Sequence, residues 1–136
     1  MKWNKLGKIF DPTQYTLQND CSQFAQSPQA LVLDDFVRIY FSTRSVDEYN
    51  GKYLSHVAFV EMDKNMKDVI RVSDKTVIPL GQLGCFDEHG VFPFNVLHYN
   101  DEVYAYTCGW NRRVSVSVDT AIGLFDVIFV PANRAV

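Results

Sequence analysis

The sequence predicts an all-β fold made of two similar four-stranded units, and three observations lead to that expectation. Apolar, β-branched and aromatic residues occur in short runs rather than at helical spacing. Brief polar or acidic segments, typical of turns, separate these runs. The pattern then begins again about 65 residues later, which indicates an internal repeat.

The first unit is expected to contain four strands. They are predicted at residues 30–33, 37–43, 55–62 and 69–72, the last continuing towards residues 77–80. Asp34 and Asp35 separate the first two runs, which is typical of a tight hairpin. Residues 45–52 are polar and include Asn50-Gly51, so they are expected to form an exposed loop.

The second unit is expected to repeat this organisation. Its strands are predicted at residues 93–99, 103–107, 114–118 and 125–130. Asn100-Asp101 is the expected turn between the first two of these strands, and residues 114–118 alternate between valine and serine as a half-buried strand does.

Corresponding residues of the two units set the period of the repeat. Pro28 and Pro93 are 65 residues apart and Tyr40 and Tyr106 are 66 apart, so a one-residue slip lies between them. Repeated units of four short strands are typical of β-propeller blades. The sequence thus predicts one domain, residues 1–136, with blade-like repeats at about 15–80 and 85–130; the alternative is a chance similarity of two hairpins.

Two blades alone leave apolar sheet faces uncovered, which gives an expectation about partners. The chain is 47% hydrophobic, so these faces are not polar caps. Sheet repeats bury their faces against neighbouring repeats. The chain is therefore expected to associate with copies of itself as a homo-oligomer.

Composition excludes several other classes of function. With 13 basic and 16 acidic residues the net charge is −3, which disfavours nucleic acid as a partner. No apolar run is long enough to span a membrane and no export signal is visible, so a cytoplasmic location is expected. The three cysteines and three histidines lack metal-ligand spacing, so neither a metal nor a cofactor is expected.

The segment at residues 83–93 contains the most unusual cluster of reactive side chains. Asp87, Glu88 and His89 lie between two glycines just before a predicted strand. In an extended segment the side chains of Asp87 and Glu88 point to opposite sides, so one of them faces a given cleft. Asp87 is the first catalytic candidate and Glu88 a weaker one; the alternative is a solvated acidic turn.

Three segments resemble a known family. The runs Q-S-P-Q-A at residues 26–30, V-R-I-Y-F-S-T-R at 37–44 and G-C-F-D-E-H-G-V-F-P at 84–93 look like the first blades of predicted glycosyl hydrolases with a five-bladed β-propeller. These are relatives of the arabinanase, xylosidase and fructosidase clan and of the mannoside phosphorylases. The resemblance runs from about residue 3 to about residue 124.

The resemblance implies a sugar-binding funnel and assigns roles to individual residues. Asp87 falls where the family places an acidic residue that faces the funnel. Arg44 resembles a funnel-lining arginine that grips a hydroxyl, carboxylate or phosphate. Gln29 and Asn95, at equivalent points of the repeat, have amides that suit sugar hydroxyls. Trp110 is expected to stack on a sugar face.

The chain departs from the family at residues 125–136, which look like a replaced end left by truncation or a frameshift. The later blades, and with them the expected general acid, are then missing, and glycosidic cleavage needs two carboxyl groups. The expected function is a self-associating, glycosidase-like propeller fragment with residual carbohydrate binding and no standard hydrolase activity. The alternatives are a hydrolase or phosphorylase active only as a symmetric oligomer, and a non-catalytic assembly module.

Overall fold

The computed structural model describes residues 1–127 and is all-β in this part, as the sequence predicts. The strands are β1 Gln23–Val32, β2 Val37–Val46, β3 Tyr53–Met62, β4 Val69–Val72, β5 Val91–Tyr99, β6 Glu102–Asn111 and β7 Asp119–Asp126. They form two antiparallel sheets, the first in the order β1-β2-β3-β4 and the second in the order β5-β6-β7. The helices within residues 1–127 are single 3-10 turns at Pro12–Gln14 and Gln18–Asp20, too short to cross a membrane.

The two hairpins of the repeat have the same register. Gln29 is opposite Tyr40 in the first hairpin, and Asn95 is opposite Tyr106 in the second, 66 residues further along. In both hairpins the register shifts upstream of this pair, which accounts for the one-residue slip between the prolines. The predicted repeat is therefore present in the backbone pairing of the two hairpins.

The turn between β5 and β6 shows how local sequence sets this register. Asn100 and Asp101 both have positive φ, 50° and 64°, as the central residues of a two-residue type I′ turn do. Asparagine and aspartate tolerate this conformation better than most residues. Tyr99 and Glu102 are thus placed directly opposite one another.

A core cluster holds the two sheets face to face. Its fully buried members come from both sheets: Leu31, Tyr40, Val57, Val91, Phe94, Val103 and Ala105. The rings of Tyr40 and Phe94 are 5.4 Å apart across the boundary between the sheets. Burying each large apolar side chain contributes about 1.5–3 kcal/mol, so this cluster is the main stabilising contact between the sheets.

The opposite face of the first sheet is covered by the N-terminal segment. Leu17 and Cys21 are buried there against Phe41 and Ala58, and the ring of Phe10 lies 5.4 Å from that of Phe41. The expectation that both outer sheet faces are bare is therefore wrong for the first sheet. The sequence pattern did not assign the N-terminal segment to any layer.

Gln18 fastens this segment to the sheet. Its side chain is 3% exposed, its Nε2 donates to the carbonyl of Val57 at 2.5 Å, and its Oε1 accepts from the amide of Val77 at 2.8 Å. The amide side chain thus satisfies a donor and an acceptor that no strand pairs, which explains a buried glutamine in an apolar layer.

Replacing Gln18 by alanine is expected to lower the free energy of unfolding by about 2–3 kcal/mol, because two buried backbone groups lose their partners. Urea denaturation followed by circular dichroism measures the change. Gln14→Ala, in the exposed 3-10 turn, is the control and is expected to have little effect. Equal stabilities of the two variants would contradict this role for Gln18.

The outward face of the second sheet remains uncovered in the described part of the chain. We call this the open face; it contains Leu97, Tyr104, Tyr106, Ile122 and Leu124. Ile122 is 85% exposed and Leu124 57% exposed. Large apolar side chains at this level of exposure on one sheet mark a surface that other groups cover.

The predicted strand at residues 114–118 is wrong. Pairing on β6 ends at Asn111 and resumes with Asp119 directly opposite, so residues 112–118 form the connecting loop. Val114 is fully exposed, and Val116 and Val118 are each about half exposed. The alternation has no neighbouring strand to pair with, since β7 occupies that place.

The other strand predictions are confirmed in part. Residues 77–80 do not continue β4 as a strand, and β1 begins at Gln23 rather than at residue 30. Of the strand predicted at 125–130, residues 125 and 126 end β7, residue 127 is not in a strand, and residues 128–130 lie outside the described residues. Of the divergent tail predicted at 125–136, residues 128–136 likewise lie outside the described part.

Candidate functional site

The two sheets are joined by backbone hydrogen bonds at one corner, and a cavity forms there. The amide of Ser55 in β3 donates to the carbonyl of His89 at 3.0 Å, and that of Trp110 in β6 donates to the carbonyl of Gly90 at 3.0 Å. The cavity beside this junction has a volume of about 370 Å³ and is lined by Arg44, Ser55, Phe92, Cys108, Trp110, Val118 and Thr120. We call it the corner cavity.

Arg44 supplies the cation of the corner cavity. It lies near the end of β2, opposite Ser55, and its Nε is buried without a hydrogen-bond partner within the described residues. Its Cζ lies 5.7 Å from the ring centroid of Phe24 and 5.9 Å from that of Phe92. Aromatic faces stabilise the guanidinium charge without using its N–H donors, so these donors remain available for a ligand.

Trp110 supplies the aromatic surface of the same cavity. Its ring centroid is 5.2 Å from the Cζ of Arg112 and 5.4 Å from the ring centroid of His89. Burial and the nearby Arg112 guanidinium lower the pKa of His89, which favours the neutral imidazole at neutral pH. The indole is thus held by its neighbours while part of it borders the cavity.

Buried polar atoms without partners collect on the same strands as Arg44. They include Oε1 of Gln26 and Oγ of Ser42, and Gln26 and Ser42 are opposite one another in the β1–β2 pairing. Ser42 is two residues from Arg44 and therefore points to the same face of the sheet. Neither Gln26 nor Ser42 lines the corner cavity, so these atoms are unpartnered polar groups near Arg44 and not part of its lining.

Gln26 and Ser42 were not among the residues predicted from the sequence. A signal was present, because Ser42 has the same strand parity as Arg44 and lies in the segment singled out for the family resemblance. For Gln26 the register shifts within β1 had to be known before its alignment with Ser42 was apparent. Gln29, chosen instead, is half-buried opposite Tyr40 and does not line the corner cavity.

The other predicted site residues do not line the corner cavity, although the loop with Asp87 and Glu88 is bonded to Trp110 through the amide of His89 at 3.1 Å. Asn95 is exposed on the open face, opposite Tyr106, and does not line the corner cavity. Asp87 and Glu88 are half-buried in the loop that precedes β5. The structure thus brings together two of the six predicted site residues.

Asp87 is held mainly through its backbone. Its carbonyl accepts from the amides of Gly81 at 3.1 Å and Gly90 at 2.8 Å, and its carboxylate packs against Gly81, where a Cβ would overlap it. The neighbouring Glu88 accepts from the amide of Gly84 at 2.9 Å and lies 4.0 Å from Nε2 of His89. Catalytic roles for Asp87 and Glu88 stay predictions.

A second cavity, of about 480 Å³, lies at the other end of β2. Beside it, Glu61 is 4% exposed and bridges two arginines: Oε1 accepts from Nε of Arg38 at 2.9 Å and from Nη2 of Arg71 at 2.7 Å. The guanidinium of Arg38 also lies over the ring of Phe59, with 4.6 Å from Cζ to the centroid. Both guanidinium groups are thus already paired with Glu61 inside the fold, unlike that of Arg44.

Metal and thiol chemistry find little support in residues 1–127. No three potential metal-binding side chains cluster in this part, and Cys21, Cys85 and Cys108 are free thiols there. Burial raises the pKa of the Cys21 thiol to about 11, which keeps it protonated and unreactive.

Comparison with known proteins finds two relatives in Mycobacterium tuberculosis. Uncharacterized protein MT1551 of strain CDC 1551 / Oshkosh and Uncharacterized protein Rv1502 of strain ATCC 25618 / H37Rv are each 30% identical to this chain over 125 residues. The aligned region is 91% of this chain and 40% of each relative, so the chain spans less than half the length of these relatives. No protein-family model and no solved structure matches the chain.

Proposed function

We propose that this chain is a glycosidase-like pair of propeller blades that binds a saccharide in its corner cavity and associates with copies of itself. The resemblance of the motifs at residues 37–44 and 84–93 supports the sugar class. The face-to-face sheets with equivalent hairpins support the blade assignment. The binding proposal depends on one observation: an arginine with an unpartnered buried donor and a tryptophan line the same cavity.

The chemistry of this cavity matches that of a sugar ring. A saccharide presents hydroxyl groups at its edge and C–H groups on its faces, so it needs hydrogen-bond donors beside an apolar plate. Arg44 offers the hydrogen-bond donors and the Trp110 ring offers the flat apolar surface. Ser55 and Thr120 add hydroxyl groups to the lining.

Binding without standard hydrolysis is the activity we propose for the single chain. Glycosidic cleavage needs two carboxyl groups on either side of the scissile bond. The described lining of the corner cavity contains no carboxylate, and the side chain of Asp87 packs against Gly81 and Gly109.

Trp110→Ala is expected to weaken saccharide binding about tenfold, because an aromatic contact of this kind is worth about 1.5 kcal/mol. The measurement is isothermal titration with arabinose-, xylose-, fructose- and mannose-containing oligosaccharides up to millimolar concentration. The matched control is Trp3→Ala, because Trp3 is 88% exposed and lines none of the cavities described above.

Fluorescence gives an independent readout of the same site. The chain has two tryptophans, so Trp3→Phe leaves Trp110 as the source of indole emission. A saccharide that binds in the corner cavity is expected to shift this emission, and Arg44→Ala is expected to remove the shift. Wild-type protein that binds none of these saccharides would refute the binding proposal and favour the non-catalytic assembly module.

A further inference from the structure

The open face has the composition of a buried sheet surface. A cavity of about 370 Å³ lies on it, lined by Leu97, Tyr99, Tyr104, Tyr106 and Leu124. Tyr106 is 47% exposed, Leu97 38% and Leu124 57%. Three neighbouring strands thus present aromatic and aliphatic side chains on the same side.

The internal repeat indicates what kind of surface covers this face. Tyr106 is the equivalent of Tyr40, and Tyr40 is 2% exposed because the second sheet packs on it. The same position of the same repeat is therefore covered by a β-sheet in one unit and uncovered in the other. A sheet, rather than a helix or a single peptide, fits the open face best.

A second copy of this chain offers one suitable sheet. Its first sheet is already covered on one face by the N-terminal segment, through Phe10 and Leu17, and on the other by the second sheet. The open face is what the described part of a copy has left to offer. Two open faces packed together form an isologous, two-fold interface.

The charges at the two ends of the open face select the relative direction of the copies. Asp101 and Glu102 are exposed at the turn end of β6. At the other end lie three arginines: Arg112 is 3.8 Å from Asp47, Arg113 is 3.4 Å from Asp119, and Arg44 has no ion pair within the described residues. Parallel copies would place acidic ends together, whereas antiparallel copies place each acidic end over a partner's guanidinium end.

Strand geometry then fixes which residues meet. Glu102 and Trp110 are each four residues from Tyr106, or about 13 Å at the rise of a β-strand. A two-fold axis near Tyr106 and perpendicular to β6 therefore places Glu102 of the partner subunit over Trp110.

We propose that the open face mediates an antiparallel, two-fold dimer, and that Glu102 of the partner subunit completes the rim of the corner cavity. This inference deepens the proposed function and rests on it for the role of the corner cavity. The carboxylate would add hydrogen-bond acceptors for sugar hydroxyls to a lining that otherwise contributes a cation, hydroxyls and apolar groups.

Light scattering of the 136-residue protein across a concentration series tests the dimer directly. Wild type is expected to have twice the chain mass of 15.6 kDa. Tyr106→Glu is expected to raise the dimer dissociation constant at least tenfold, whereas Tyr49→Glu, at a 99% exposed loop position, leaves it unchanged. A wild-type monomer at all concentrations, or equal dimerisation by both variants, would overturn the proposal.

Crosslinking through an engineered cysteine tests whether residue 106 lies at the two-fold axis. Facing sheets lie about 10 Å apart, too far for a direct disulfide, so a short bifunctional maleimide is the reagent and the free thiols of Cys85 and Cys108 are first replaced by serine. Tyr106→Cys is then expected to give a covalent dimer, whereas Tyr49→Cys, the control, is expected to stay uncrosslinked. Crosslinking at position 49 but not at 106 would show a different interface and overturn the proposed axis.

Glu102→Arg separates this inference from the saccharide proposal. It is expected to weaken the dimer about tenfold and to weaken saccharide binding to the level of the isolated subunit. If Glu102→Arg weakens the dimer and leaves saccharide affinity unchanged, Glu102 of the partner subunit does not take part in saccharide binding, while the proposal for the corner cavity stands. If wild type dimerises and binds none of the saccharides, the proposed function fails and the interface stands alone.

Discussion

Gly90→Ala is expected to lower the free energy of unfolding by about 3–5 kcal/mol and to disrupt the corner where the sheets join. Two effects combine at this position. Gly90 has a φ of +110°, which costs an L-residue of order 1–3 kcal/mol. A Cβ there would also overlap the carbonyl of Ser55, and this backbone atom cannot move without breaking the junction between β3 and the segment before β5.

Gly84→Ala is the matched control for Gly90→Ala. Gly84 has a φ of +87° in the same loop, and a Cβ there would meet nothing within 4 Å. Gly84→Ala therefore has only the cost of a positive φ at alanine. Gly90→Ala adds the overlap with Ser55 and is expected to be more destabilising by about 1–3 kcal/mol. Chemical denaturation of both variants measures the difference; equal losses would mean that the close approach of Gly90 to Ser55 is absent.

Glu61→Gln is expected to cost about 3 kcal/mol or more at neutral pH. The carboxylate is almost fully buried and accepts hydrogen bonds from both Arg38 and Arg71. Removing one partner of a buried ion pair leaves charge that has lost its counterion in a low-dielectric environment. Urea denaturation at pH 7 measures the loss, with the exposed Glu48→Gln as the control.

The same carboxylate makes stability depend on pH. Burial by itself raises the pKa of Glu61, but the hydrogen bonds from Arg71 and Arg38 outweigh it and hold the pKa below its ordinary value of 4.5. A lowered folded-state pKa contributes stability above the unfolded-state pKa, and that contribution is lost as the pH falls through the folded-state value. Wild type is therefore expected to lose stability below about pH 4.5.

Comparing wild type with Glu61→Gln between pH 7 and pH 3 isolates this contribution. The stability difference between the two proteins is expected to shrink as the pH falls, because a protonated Glu61 resembles the amide. Asp11 and Asp63 also have lowered pKa values, and they titrate equally in both proteins. A difference that stays constant over this range would show that Glu61 is not ionised in the fold.

The strands were predictable where side-chain type and turn chemistry agree. The segments at 37–43, 55–62 and 103–107 are rich in β-branched and aromatic residues and are bounded by polar turns, and all three lie within strands. Residues 114–118 have an equally good alternation and are a loop. Alternating apolar and polar residues show that a segment can be a strand. The segment also needs a neighbouring strand whose edge is free to pair with it.

The corner cavity was predictable only in part. Its lining residues are brought together by the register of the strands and by the contact between the two sheets, and no local sequence motif records either. Arg44 and Trp110 occupy the same position of the repeat, 66 residues apart, and both border the corner cavity. The junction at Gly90 depends on a single close backbone approach, which local sequence patterns do not reveal.

The N-terminal segment that covers the first sheet also limits how far assembly can proceed. A molecule with two sticky surfaces at opposite ends can add neighbours indefinitely and grow into a fibre. Phe10, Leu17 and Cys21 cover the outer face of the first sheet, so among the described residues the open face is the sheet face left for the proposed dimer. In that proposed dimer both open faces would be buried against each other, and assembly would end at two copies.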